Sequence, residues 1–201
     1  YTSEGPSIAY GEAREEAITL ARSFGSEELA AEIEAEFEAV EARAAAYTAS
    51  HDSQTMMIFF YTPGTYFQTS EGYLGSMLSM LPFENLADTV VDPASRTLPT
   101  DIETCLTPNP DVIFAISPTA PTADVIQGLY EETFAQDPDL WNQFSAVAND
   151  NIIYLSSEYV TSKGIQVIDS LNALIDMLEA RYPANATAGS ESAAAEVSED
   201  A

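Results

Sequence analysis

The 201-residue chain holds one cysteine, one histidine and six basic residues against 33 acidic ones, and each scarcity excludes a class of chemistry. Cys105 has no partner for an intrachain disulfide, so stability must come from a packed core. His51 is the one imidazole, which leaves no conventional zinc site of several Cys and His ligands. A net charge of -27 repels nucleic acid and anionic lipid, and neither is an expected partner. The charge names no ligand by itself, because an acidic surface first of all keeps a protein in solution. No apolar run approaches the roughly 20 residues that span a bilayer. The opening Tyr1-Thr2-Ser3-Glu4 has neither the basic nor the apolar region of a signal peptide, and without Met it reads as a processed or truncated start. Also missing are a Gly-rich phosphate loop, a Gly-x-Ser-x-Gly elbow and a His-Glu-x-x-His pair, so nucleotide, acyl-transfer and zinc-hydrolase chemistry lack their usual parts.

What is present is 46% hydrophobic residues, enough to close a sizeable core. Residues 1–10 form an N-terminal segment, and residues 11–50 read as two helices rich in Ala and Glu. Gly25 breaks them, Ser26 caps the second, and Glu27 and Glu28 suit the positive end of its dipole. Leu29, Ile33, Phe37, Val40 and Ala44 give the second helix one narrow apolar stripe. At about 1.5 Å per residue it is long enough to cross a domain.

After His51 the texture changes. Thr55–Tyr61, Asp111–Ser117 and Asn151–Leu155 are short continuous apolar runs, as expected of strands buried on both faces. Helical patterns lie between and after them, at Gly72–Met80, Ile102–Leu106, Ala123–Phe134, Asp139–Phe144 and about Ser162–Tyr182. The alternation predicts an α/β class fold: an open, mainly parallel sheet flanked by helices and preceded by a long linker helix, with the lobe at residues 51–183. The segment 184–201 is small, polar and acidic, and reads as a disordered tail.

Candidate chemistry concentrates in Tyr61–Tyr73, which leaves the end of a strand carrying Tyr61, Tyr66, Phe67 and Tyr73 among several hydroxyls. Open α/β sheets bind ligands beyond the carboxyl ends of their strands. Aromatic rings with a few hydroxyls suit a bulky ligand, although each ring could equally close the local core. Tyr159, after the third run, can join from another loop. Between Asp52 and Ala180 the only basic residues are Arg96 and Lys163, which favours a neutral or cationic ligand over a strongly anionic one. His51 reads as a solvated loop histidine and Cys105 as a buried, inert thiol.

The order of motifs resembles the substrate-binding proteins that deliver ferric siderophores, haem or cobalamin to ABC importers. The residues that carry it are the paired helices, Gly72-Tyr73-Leu74-Gly75, Phe83-Glu84-Asn85-Leu86-Ala87-Asp88, Thr100-Asp101-Ile102-Glu103, Asn109-Pro110-Asp111 before a strand, and Trp141 with Ala146-Val147. The resemblance covers about residues 8–182 and implies a linker helix plus the C-terminal lobe of a two-lobed protein. The N-terminal lobe is absent before Tyr1, and Leu81-Pro82-Phe83-Glu84 replaces the family's Gly-Gly before the Asn stretch. It further implies an extracytoplasmic, periplasmic or lipid-anchored carrier that meets a membrane only through an anchor or the permease. Its partners would be a metal chelate and an ABC permease, with no cofactor and no catalysis. Glu103 takes the position of the glutamate that docks on the permease, and Tyr61, Tyr66, Phe67, Tyr73, Arg96 and Tyr159 are the expected ligand contacts. Two other readings stay open: an interaction protein built on the same lobe, and a chelatase-like enzyme using acids and His51.

Overall fold

The computed structural model describes residues 9–62, 64–95, 97–99, 103, 106–161 and 164–184. Arg96, Lys163, Cys105, most of the expected Ile102–Leu106 helix, residues 1–8 and the tail from residue 185 lie outside these. Helix α1 (Tyr10–Phe24) and helix α2 (Glu27–Ala49) form a hairpin about Gly25. Ser26 caps α2 by accepting from the Leu29 amide at 3.2 Å. The Tyr10 hydroxyl donates to Glu41 at 3.1 Å and Arg14 pairs with Glu41 at 3.2 Å, which fixes the start of α1 beside the middle of α2.

The lobe then runs β1 (Gln54–Thr62), β2 (Gly64–Gln68), α3 (Tyr73–Leu78), β3 (Phe83–Asn85), α4 (Ala87–Val90), β4 (Thr97–Pro99), β5 (Val112–Ile116), α5 (Ala123–Gln136), α6 (Pro138–Trp141), α7 (Ser145–Ala148), β6 (Ile152–Leu155), α8 (Glu158–Thr161) and α9 (Gln166–Arg181). The sheet order is β4-β2-β1-β5-β6, with β3 also on β1. β1, β3, β5 and β6 are parallel, while β2 and β4 add antiparallel edges. One side of β1 is shared in series, its first residues bonding β3 and its last residues bonding β2.

Alternation along β1 and β5 sends side chains to two cores. Met56, Ile58, Val112, Phe114 and Ile116 face one cluster, covered by α1, α2, α3 and α9. Met57, Phe59, Ile113 and Ala115 face the other, covered by α5, α6 and α7. The expected linker stripe needs correcting at its start. Leu29 is 42% exposed, and the buried register is instead Ala30, Phe37, Val40, Ala44 and Tyr47. Leu29 sits at the hairpin tip, in the first turn of α2. The lower end of α2 is tied to α9 by Arg43, which donates to Asn172 and pairs with Asp176 and Glu179.

The Asn109-Pro110-Asp111 motif is a brace. Asn109 takes a positive φ of 44°, which Asn tolerates, and its side chain bonds the Ser145 amide and hydroxyl at the start of α7. The Asp111 carboxylate accepts from the Thr55 amide at 3.0 Å and hydroxyl at 2.6 Å, pinning β5 to β1.

Candidate functional site

The carboxyl ends of β1, β5 and β6 lie side by side, so the residues that follow them share one rim of the lobe. Ser117 follows β5, and its hydroxyl lies 3.0 Å from that of Thr119. Ser156 follows β6 and donates to Glu158 at 2.8 Å, while the Ser157 amide donates to Ala120, joining the two loops. Thr122 uses its hydroxyl to cap α5. These hydroxyls were not singled out from sequence. The available signal was position, since each comes within a few residues of the end of a buried strand.

The aromatic segment behaves differently from a free loop. Its middle, Gly64–Gln68, is β2, hydrogen-bonded back on β1 with Phe67 opposite Phe59 and Tyr66 opposite Phe60. Pairing therefore splits the predicted residues between faces. Phe67 is 1% exposed and stacks on Phe59 at 5.2 Å, inside the aromatic cluster. Tyr73 is 2% exposed within the opposite cluster, its hydroxyl 3.4 Å from Ser170. Tyr159, 6% exposed, belongs to that same core, where burial pushes its phenol up to about 12. Tyr61 and Tyr66 keep half-buried side chains. Tyr61 meets the ring of Tyr130 at 5.7 Å. Glu103 is exposed. The six expected contacts thus do not form one patch: Tyr61 and Tyr66 stand at the rim, Phe67, Tyr73 and Tyr159 are core, and Arg96 is outside the described residues.

The turn after β2 is held by buried polar bonds. The Gln68 side-chain oxygen accepts from the Gly75 amide at 2.9 Å, the Asn85 amide donates to the Gln68 carbonyl at 2.9 Å, and the Ala87 amide donates back to Asn85 at 3.1 Å. A Cβ on Gly75 would lie 2.0 Å from the Thr69 carbonyl oxygen, so only glycine permits this approach. The family-like Gly and Asn positions are accordingly structural, bracing a turn that lies beside Met56 and Ile58 rather than at the carboxyl-end rim.

His51 is neither solvated nor loosely held, which corrects the sequence expectation. It is half-buried, stacks on Tyr47 at 3.9 Å, and has Nδ1 2.8 Å from the Tyr47 carbonyl oxygen and Nε2 2.8 Å from that of Tyr182. Both nitrogens are engaged, so the ring is not poised as a general base. No group of three or more His, Cys, Asp or Glu placed to hold a metal ion occurs among the described residues. No described helix is long and apolar enough to cross a membrane. A separate open groove of about 460 Å³ runs along the outer edge of β6, lined by residues including Gln127, Tyr154, Met177 and Arg181. None of the expected ligand contacts among the described residues borders it.

Residues 2–159 match the family model described as periplasmic binding protein. Among solved structures, the chain is similar to an ABC transporter substrate-binding protein from Listeria monocytogenes EGD-e, with TM-score 0.73 and 21% identity over 85% of this chain and 65% of that one. The haem-complexed IsdE of S. aureus gives TM-score 0.70 and 19% identity over 85% and 65%. An ABC-type Fe3+-hydroxamate transport protein from Saccharomonospora viridis DSM 43017 gives 0.67 and 18% over 86% and 57%. The chain therefore spans about 65% of the length of the first two. No protein of curated function matches it by sequence.

Proposed function

The chain belongs to the periplasmic binding protein family, and on that premise we propose that it captures a bulky metal chelate outside the cytoplasm and hands it to an ABC permease without catalysis. The observation that carries this reading is the rim: half-buried Tyr61 and Tyr66 lie level with the strand ends, where Thr119 is exposed and Ser156 half-buried. Such a surface offers area and neutral hydrogen-bonding groups, which suits a large, chelated cargo. Haem and ferric hydroxamate, named for two structural neighbours, are the first ligands to try. With Arg96 and Lys163 the only basic residues between Asp52 and Ala180, a neutral or cationic chelate fits better than a strongly anionic one.

In this reading residues 51–183 are one lobe of a two-lobed carrier. The hairpin tip supports it, because Leu20, Phe24 and Leu29 are 48%, 87% and 42% exposed and would be covered by a second lobe. Glu103 is the proposed permease contact. The test is quenching of the single Trp141 by haem and by a ferric trihydroxamate. The expected result is saturable binding of one of them, weakened about tenfold or more by Tyr61→Ala or Tyr66→Ala. Glu103→Ala should leave that binding intact and lower permease stimulation. Absence of saturable binding by any coloured chelate would sink the reading.

A further inference from the structure

The two edges of the sheet are finished differently. β4 is three residues long and ends in Pro99, which has no amide to donate to a further strand. β6 reads Ile152-Ile153-Tyr154-Leu155, with neither a proline nor a charge to blunt it. The Ile113 amide donates to the Asn151 carbonyl, so Asn151, Ile153 and Leu155 turn their backbone groups towards β5, and alternation turns those of Ile152 and Tyr154 outwards. No described strand pairs with that outer side.

The outer side of β6 is the floor of the open groove of about 460 Å³. Ala123 and Gln127 of α5 form one wall, and Met177, Ala180 and Arg181 of α9 form the other, because the two helices cover opposite faces of the sheet and both reach past its edge. Arg181 closes the end nearest Asn151, donating to the Asp150 carbonyl and the Asn151 side chain. A trough with mostly apolar walls and unpaired backbone donors and acceptors along its floor has the geometry that accepts an added strand. At about 3.3 Å per residue, β6 matches about 13 Å of extended chain.

Charge selects the occupant. Burial, and then the charges of Glu131 and Asp150, push the Tyr154 phenol up to about 12, and Glu131 also accepts from Gln127 of the wall at 2.7 Å. Arg181 is the single cation of the lining. A second copy would bring another net charge of -27 to the contact. The chain's own segment beyond α9 carries Glu191, Glu196, Glu199 and Asp200 and no basic residue. Added as a parallel strand, it would also complete a crossover through α9, on the face opposite the α5 crossover that joins β5 to β6, and therefore of the opposite hand. Parallel crossovers in one sheet keep one hand almost without exception.

We propose that the outer edge of β6 is a strand-addition site for an extended segment of a basic partner protein, its backbone paired with Ile152 and Tyr154 and its side chains set between α5 and α9. The groove lining includes none of the rim residues, so the site stands whatever the rim holds.

The probe is an alternating lysine–valine hexapeptide, titrated into the nitrogen-15-labelled full chain beside an alternating glutamate–valine control. The lysine peptide should shift the amides of Ile152 to Leu155 saturably and slow deuterium exchange at Ile152 and Tyr154, while the glutamate peptide binds about tenfold or more weakly. Ala180→Trp, at an exposed position on the groove wall, should weaken the lysine peptide about tenfold by filling the trough. Should that variant fail to fold, the two amides of the wild type decide. Shifts spread over the acidic surface and unchanged by Ala180→Trp would mean simple ion pairing and overturn the proposal, as would equal binding of both peptides or of neither. Protection of Ile152 and Tyr154 before any peptide is added overturns it too: if it grows with chain concentration the edge belongs to a second copy, and if not, to the chain's own segment.

Discussion

The two faces of the sheet are closed by different means. The face under α1, α2, α3 and α9 is filled mainly by aliphatic side chains and alanines from helices of 15, 23 and 16 residues, such as Ala44, Val40, Leu171, Leu174 and Leu178. The face under α5, α6 and α7 is a mesh of rings: Phe59 meets Phe67, Trp141 and Phe144, and Phe134 meets Trp141 at 4.7 Å. Long helices bury a stripe by periodicity and tolerate small residues. Helices of four residues, as α6 and α7 are, bury little area each, so a few large rings must supply the contact. The same sheet is thus sealed once by length and once by residue size.

That contrast can be broken most sharply at Phe59, which touches three other rings and is fully buried. Phe59→Ala should cost about 3–5 kcal/mol in denaturant melts. Leu174→Ala on the opposite face should cost about 2–4 kcal/mol, and the double variant should show the sum within about 0.5 kcal/mol if the two cores are separate. A large interaction energy would show instead that the strands transmit strain between faces. Next in size is Asn85→Ala, which removes the bond to the Gln68 carbonyl and the one accepted from the Ala87 amide, and should cost about 2 kcal/mol. The smallest effect has the opposite sign. Tyr130 is buried among rings with no hydrogen-bond partner for its hydroxyl among the described residues, so Tyr130→Phe should raise stability by about 1 kcal/mol.

Alkaline titration compares the faces in one experiment. Burial pushes the phenols of Tyr47 and Tyr159 on one face, and of Tyr154 on the other, up to about 12 from an ordinary 10.0. The folded state therefore retains protons that the unfolded state releases. Stability from these groups is complete below about pH 10 and is lost as pH rises from there towards 12. Tyr159→Phe and Tyr154→Phe should each flatten part of that loss, measured as unfolding midpoint against pH.

This difference also sets what could be read from sequence. Continuous apolar runs marked β1, β5 and β6, and helical spacing marked α2, α5 and α9, because a buried strand and a long amphipathic helix write their period directly into the chain. β2 was hidden. Pro63-Gly64 reads as the end of a strand, and Gln68 breaks the apolar pattern because it is buried for its hydrogen bonds rather than for its carbon. The consequence reached the candidate site: four rings that look like one loop are split by strand pairing, with Phe67 and Tyr73 in opposite cores. Tyr61, near the end of β1, lies beside the rim, but Ser117 and Ser156 are too ordinary to stand out before the sheet is assembled. His51 could not be assigned either, since the Tyr182 carbonyl that completes its surroundings lies 131 residues away.

The sharing of one side of β1 between β3 and β2 has a kinetic meaning. β1 bonds β5 from Met56 to Phe60 along one side, while β3 and then β2 occupy the other. Its amides can reach solvent only when pairings on both flanks part, whereas β6 bonds β5 along a single side. In deuterium uptake the centres of β1 and β5 should therefore be the last backbone to exchange, and β3 and β6 the first of the parallel strands. The segment that the α2 helix feeds directly would then be among the last parts of the molecule to open.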